Sequence, residues 1–198
     1  MTWAQFLLFV HVAVAVVWVG GALMMQFFGI RASMSGDSRR MGELGEDIEW
    51  IAKRVFIPSS LVAFLSGVLL VVELDFYAFG DDWIVLALLL YATTFFGGLL
   101  FLGPESGRIG KLAEAGLPEV GHRTLRLIMF ARLDLVLLFA IIFVMTVKPD
   151  FGDLALLEGL IPAALAAGLV YWRYTVALSQ PPPGAPRPAA TDESEAAA

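Results

Sequence analysis

Five long apolar stretches, each close to the length of about 20 residues that a helix needs to cross a hydrocarbon core, restrict what this chain can become. Inside lipid every backbone N–H and C=O must be satisfied within the structure itself, which leaves helices or closed barrels. Runs of this length without strand-like alternation read as helices. The expected fold is therefore all-α, a polytopic membrane bundle with five transmembrane helices at about 3–30, 55–74, 83–102, 125–147 and 154–178. Composition agrees: 59% of the 198 residues are hydrophobic and 16% charged, far from the usual soluble balance. The bundle takes up residues 1–179 and leaves no room for a large soluble domain. No basic residue precedes the first run, so it reads as a retained helix rather than a cleaved signal.

Short loops rich in Lys and Arg stay on the cytoplasmic side. Arg31, Arg39, Arg40, Lys53 and Arg54 lie between the first two helices, and Arg108, Lys111, Arg123 and Arg126 surround the third connection. The connector FYAFGDD carries no positive charge and KPDFGD only Lys148. The expected arrangement has the amino terminus outside and the carboxyl terminus in the cytoplasm, as in a multi-pass protein of a bacterial inner membrane. Within the first of these loops Met41, Leu44, Ile48, Ile51 and Val55 recur at helical spacing among acidic residues. Residues 38–54 are thus expected to form an amphipathic helix, packed on the base of the bundle or lying at the lipid interface. The Pro- and Ala-rich tail at 180–198 ends in acidic residues, has nothing to bury, and reads as disordered.

The absence of cysteine removes thiolate ligands, disulfides and thiol nucleophiles. A net charge of −6 argues against nucleic-acid binding, which requires a basic patch. Walker-type, HExxH and GxSxG signatures are missing. His11 is the histidine that lies within an apolar run, and an ionisable ring in hydrocarbon is a functional-site hypothesis whose partner must be found. His11, Ala15, Trp18, Ala22 and Met25 share one face of the first helix, with His11 and Trp18 roughly 10 Å apart along the axis. The small residues leave space for something flat, such as a porphyrin ligated by His11 and edged by Trp18. Packing against neighbouring helices accounts for the same pattern equally simply. His122 lies at the opposite level, while Tyr91 and Ser66 are placed at the depth of His11. Arg132 and Asp134 on the fourth helix must each find partners elsewhere, since residues two apart do not face each other. Arg132 could hold a propionate or phosphate.

The string HVAVAVVWVGG, with Arg31 just past the helix end, resembles the first helix of the copper-resistance D-like and HemJ-type membrane proteins. The ending VMTVKPD and the overall hydropathy look more like an uncharacterised bacterial relative of these, a domain-of-unknown-function family of small polytopic proteins. The resemblance implies a haem-associated bundle, in which haem b is held through the histidine that His11 matches; the reading of the residues themselves adds Trp18, Tyr91 and Arg132 as the candidates around it. It implies membrane redox chemistry or, for the copper-resistance relatives, copper import. The HemJ type also relies on a lysine in its third helix, where this chain has Tyr91, Thr93 and Thr94, and that departure argues against protoporphyrinogen oxidation. Copper transport favours clusters of Met and His, whereas Met24, Met25, Met129 and Met145 are scattered. The expected partners are membrane lipids and, for an accessory role, another membrane subunit or a second copy. The alternatives to haem-based redox chemistry are an accessory subunit or a small transporter without haem.

Overall fold

The computed structural model describes residues 1–35, 37–117 and 119–153, together with Glu158, Leu169 and Arg173. These residues form helices and turns with no strand among them. In order they are α1 (Trp3–Ser35), α2 (Ser38–Ile51), α3 (Ile57–Glu73), α4 (Asp82–Gly97), α5 (Gly103–Glu114) and α6 (Val120–Val147). Four of the resulting helical stretches are long and apolar enough to cross a membrane. The fifth expected span at 154–178, apart from those three residues, and the tail at 180–198 lie outside the described residues.

All four stretches are longer than a hydrocarbon core requires, and the two longest gain their length because α2 runs into α3 and α4 into α5. The joints are single π-helical turns, Ala52–Phe56 and Gly98–Leu102. Proline explains both. Pro58 and Pro104 lack the N–H that would reach the carbonyls of Arg54 and Leu100, and their rings would crowd a regular α turn. The wider turn just before each proline relieves that conflict: the N–H of Ile57 bonds to Ala52 O, and that of Gly103 to Gly98 O. Arg39–Glu73 is then a continuous stretch of 35 residues. By the helical rise it is roughly 50 Å long, against a core of about 30 Å, so α2 and α5 project from the same end.

This corrects the expectation that the third span ends at about residue 102, before Pro104. The helix carries on to Glu114. Likewise α1 reaches Ser35 rather than 30, and α6 begins at Val120 rather than 125.

The projecting helices bury the densest apolar core. Asp37 caps α2 by accepting from Arg39 N at 2.9 Å. Met41 and Leu44 of α2 then pack with Ile109 of α5, Ala32 of α1, and Val120, Leu127 and Ile128 of α6. Between the two alternatives for the amphipathic segment, the structure places it on the bundle, with α5 and α6 as neighbours. Glycine sets the approach. A Cβ on Gly42 would lie 2.3 Å from Ala113 Cβ, and one on Gly45 would lie 2.7 Å from Ile109 Cγ2. On the facing helix, Gly107 and Gly110 make room for Glu49 and Glu46. Between α2 and α5 the close approach falls at these four glycines, whereas an added Cβ on Gly97 or Gly98 would meet nothing within 4 Å. Glu105 ties α5 to α6 through Arg123 at 2.8 Å.

At the other end, Lys148 terminates α6 in a left-handed conformation, φ 52°. Its ammonium donates to Tyr77 Oη and lies 4.5 and 5.2 Å from the ring centres of Tyr77 and Trp83. Phe151 N donates to Asp82 Oδ2 at 2.8 Å, so the α3–α4 connection and the end of α6 hold one another. The spans in between expose Phe9, Val16, Val72 and Leu89, side chains that hydrocarbon solvates as readily as a protein core does.

Candidate functional site

Helices α1 and α3 run antiparallel, with Gly21 against Phe56 at one level and His11 against Gly67 at another. Gly67 is what admits the imidazole: a Cβ there would lie 3.1 Å from His11 Cε1. His11 Nδ1 is 2.8 Å from Ala63 O and 3.2 Å from Ser66 Oγ. A carbonyl can only accept, so Nδ1 carries the proton and Nε2 carries the lone pair. The Ser66 hydroxyl donates to its own helix, to Val62 O at 2.6 Å, and so offers the same Nδ1–H a second acceptor. The depth assigned to Ser66 holds.

Tyr91 lies elsewhere. Its ring meets Trp18 edge-on at 6.0 Å between centroids and stacks on Phe64 and Phe95, and its hydroxyl donates to Ser60 O at 3.3 Å. That is the level of Trp18, about two turns from His11, which corrects the depth read from residue counting. Arg132 Nε donates to Gln26 Oε1 at 3.3 Å. Gln26 is fifteen residues beyond His11, roughly 22 Å along the axis. The structure thus brings Trp18 and Tyr91 together and leaves His11 at one level and Arg132 at another.

What does converge is a cavity of about 810 Å³ between the spans, whose lining extends to the α2–α5 end. The face of α1 singled out above divides: His11 packs on the α3 backbone, while Trp18, Ala22 and Met25 line the cavity. The first π turn and α3 add Phe56, Ile57 and Ser60. From α4 and the second π turn come Thr94, Phe95, Gly98 and Leu99. From α6 come Leu127, Ile128, Ala131 and Asp134, and Gln26 of α1, which accepts from Arg132, also lines it. Glu46, Glu49, Lys53, Arg108, Lys111 and Glu114 surround the mouth.

Asp134 is the residue that sequence reasoning set beside Arg132 and did not assign to a site. A signal was present. Leu127, Ala131, Asp134 and Leu138 follow four-, three- and four-residue steps, so the carboxylate sits on an otherwise apolar, inward stripe. It is half-buried, and among the described residues it makes no hydrogen bond or ion pair. Arg132, about 200° around the helix at 100° per residue, turns to Gln26 instead.

The fit of a haem can be judged from the donor set. An imidazole whose Nδ1–H is held by a carbonyl presents Nε2 as a ligand, the usual second-shell arrangement. His11 therefore fits an axial-ligand role. Arg132 does not fit the propionate role beside it, given the separation along the bundle, and the cavity does not reach His11. Among the described residues no three His, Asp or Glu side chains gather as a metal site.

Four apolar helical stretches long enough to cross a membrane, with a cavity between them and a polar module at one end, define a polytopic integral membrane protein. The chain belongs to the family DUF2269, described as "Predicted integral membrane protein", whose model matches residues 5–149. That stretch takes in all of α2 to α6 and nearly all of α1. No curated protein and no solved structure matches the chain.

Proposed function

We propose that the protein is a small transporter that holds an amphipathic solute between its helices, with the α2–α5 end in the cytoplasm. The observation that carries this reading is the cavity. Its 810 Å³ lies in the range of small-molecule sites, its inner wall is mostly apolar, and its mouth is charged. A membrane protein held together only by packing has no need of a void this large beside a half-buried carboxylate. The orientation rests on the basic residues Arg39, Arg40, Lys53, Arg54, Arg108, Lys111, Arg123 and Arg126, which gather at the α2–α5 end, while Lys148 lies at the other. In a bacterium the membrane would be the inner one.

Gly98 supplies the test, because it lines the cavity and an added Cβ would meet nothing within 4 Å. A neutral aryl diazirine photolysed with the protein in lipid nanodiscs is expected to label peptides containing Phe95 and Leu99. Gly98→Phe should fill the space and cut that labelling by about tenfold, a loss equivalent to 1.4 kcal/mol, while labelling of lipid-facing Leu89 persists. Equal labelling of both proteins at Phe95 and Leu99 would remove the cavity from consideration as a binding site.

A second reading is supported by the hydrogen bond from His11 Nδ1 to Ala63 O. In it, His11 holds a haem b through Nε2, and the haem supplies one-electron redox chemistry; the protein's part is to fix the tautomer and orientation of the ring. Protein from haem-replete cells should then show Soret and α bands in a reduced-minus-oxidised spectrum, and His11→Ala should abolish them. Bands that survive the substitution would assign the haem to another ligand, and a flat wild-type spectrum would leave only the transporter reading.

A further inference from the structure

We propose that the solute taken by the cavity is an organic cation, an ammonium or delocalised positive head on an apolar body, with Asp134 as its counter-charge. The inference rests on reading the cavity as a solute site and names the chemistry of its occupant. Removing a carboxylate from water is unfavourable unless it gains a partner, and charged side chains within membrane spans mark the paths of substrates and ions. Asp134 meets that description: it stands on the inward stripe of α6, lines the cavity, and has no partner among the described residues.

Three further features agree on sign and shape. Among the described residues the mouth carries Glu46, Glu49 and Glu114 against Lys53, Arg108 and Lys111, so those formal charges balance; Arg132 is held by Gln26 in the wall, and Asp134 is the charged side chain that itself lines the inner part. Two of those cations are already engaged, Lys53 by Glu49 and Arg108 by Glu105 at 3.7 Å. The wall beyond Asp134 presents Trp18, Phe56 and Phe95, and aromatic faces attract a cation through their quadrupoles while covering its apolar body. An anion of the same size would meet the carboxylate unfavourably and gain nothing from the rings.

Tetraphenylphosphonium and tetraphenylborate have nearly the same shape and opposite charge, so together they isolate the sign. Equilibrium binding to the full chain in phosphatidylcholine nanodiscs, above the level of empty nanodiscs, should be saturable for the phosphonium and weaker for the borate by about tenfold or more. Asp134→Asn should weaken the phosphonium by a similar factor, Asp134→Glu should restore it, and borate binding to Asp134→Asn should equal or exceed that to wild type. Equal affinity for the two ions, or a phosphonium affinity indifferent to Asp134→Asn, would overturn the cation assignment and leave the cavity reading standing. Failure of both ions together with failure of the neutral diazirine to label Phe95 and Leu99 would overturn both.

Discussion

Ile109→Ala destabilises the α2–α5 end by about 2–5 kcal/mol, the range for truncating a large side chain in a packed core. Ile109 has 0% exposure and touches the helix that faces it through the surface that Gly45 leaves open. Truncation removes apolar contact and leaves a space that close-packed neighbours fill only in part. The readout is the midpoint of thermal unfolding in mild detergent, together with protease cleavage between α1 and α2 and between α5 and α6. Leu100→Ala is the control, since Leu100 is 71% exposed on the second π turn and its loss should stay within about 0.5 kcal/mol. If the two variants melt together, the projecting module is not a packed core.

Gly42→Val has an effect of comparable size with the opposite geometry. The first atom of the new side chain would stand 2.3 Å from Ala113 Cβ, a distance that no rotamer relieves because both atoms are fixed to backbone. The helices must separate, at about 1–3 kcal/mol or more for overpacking. Gly20→Ala should behave in the reverse sense: nothing lies within 4 Å of the added carbon, and alanine is preferred over glycine in a helix by about 1 kcal/mol. The chain has no cysteine, so spin labels placed at Arg39 and Leu117 report the α2–α5 separation without background. A longer, broader distance distribution in Gly42→Val is expected; an unchanged one would contradict the close approach of these helices. Because Glu46 and Glu114 line the cavity mouth from the same two helices, this variant also links the packing of the module to access to the cavity.

Much of the fold could be read from the chain. The apolar runs are long enough that only helices satisfy their backbones in lipid, and the alternating three- and four-residue recurrence of Met41, Leu44, Ile48 and Ile51 marks α2 by its period alone. Helix α5 escaped because Gly103–Pro104 is a strong stop signal in isolation, and the π turn that accommodates it has no sequence signature of its own. The same π turn precedes Pro58, and in both places a residue that normally ends a helix is absorbed inside one.

The candidate site was partly legible. Trp18, Ala22 and Met25 were found as a face, and they line the cavity; Asp134 could have been found by extending the same periodic reading to α6. His11 was rightly separated from His122, since the former bonds to α3 near one end of the bundle and the latter begins α6 at the other. Neither the Ala63 carbonyl as the acceptor for His11 nor the Trp18–Tyr91 contact could be anticipated. Both depend on the register between helices distant in sequence, and counting residues from assumed span ends misplaced Tyr91 by about two turns.

The sequence by itself determined that this chain is a bundle of membrane helices with a polar end where Lys and Arg gather, because hydrophobic length and charge placement act locally and leave lipid no other solution. Only the tertiary structure decided which faces meet. It did so because helix register is set by the fit of particular pairs, Gly42 with Ala113, Gly67 with His11 and Gly21 with Phe56, and that fit left a cavity with Asp134 in its wall.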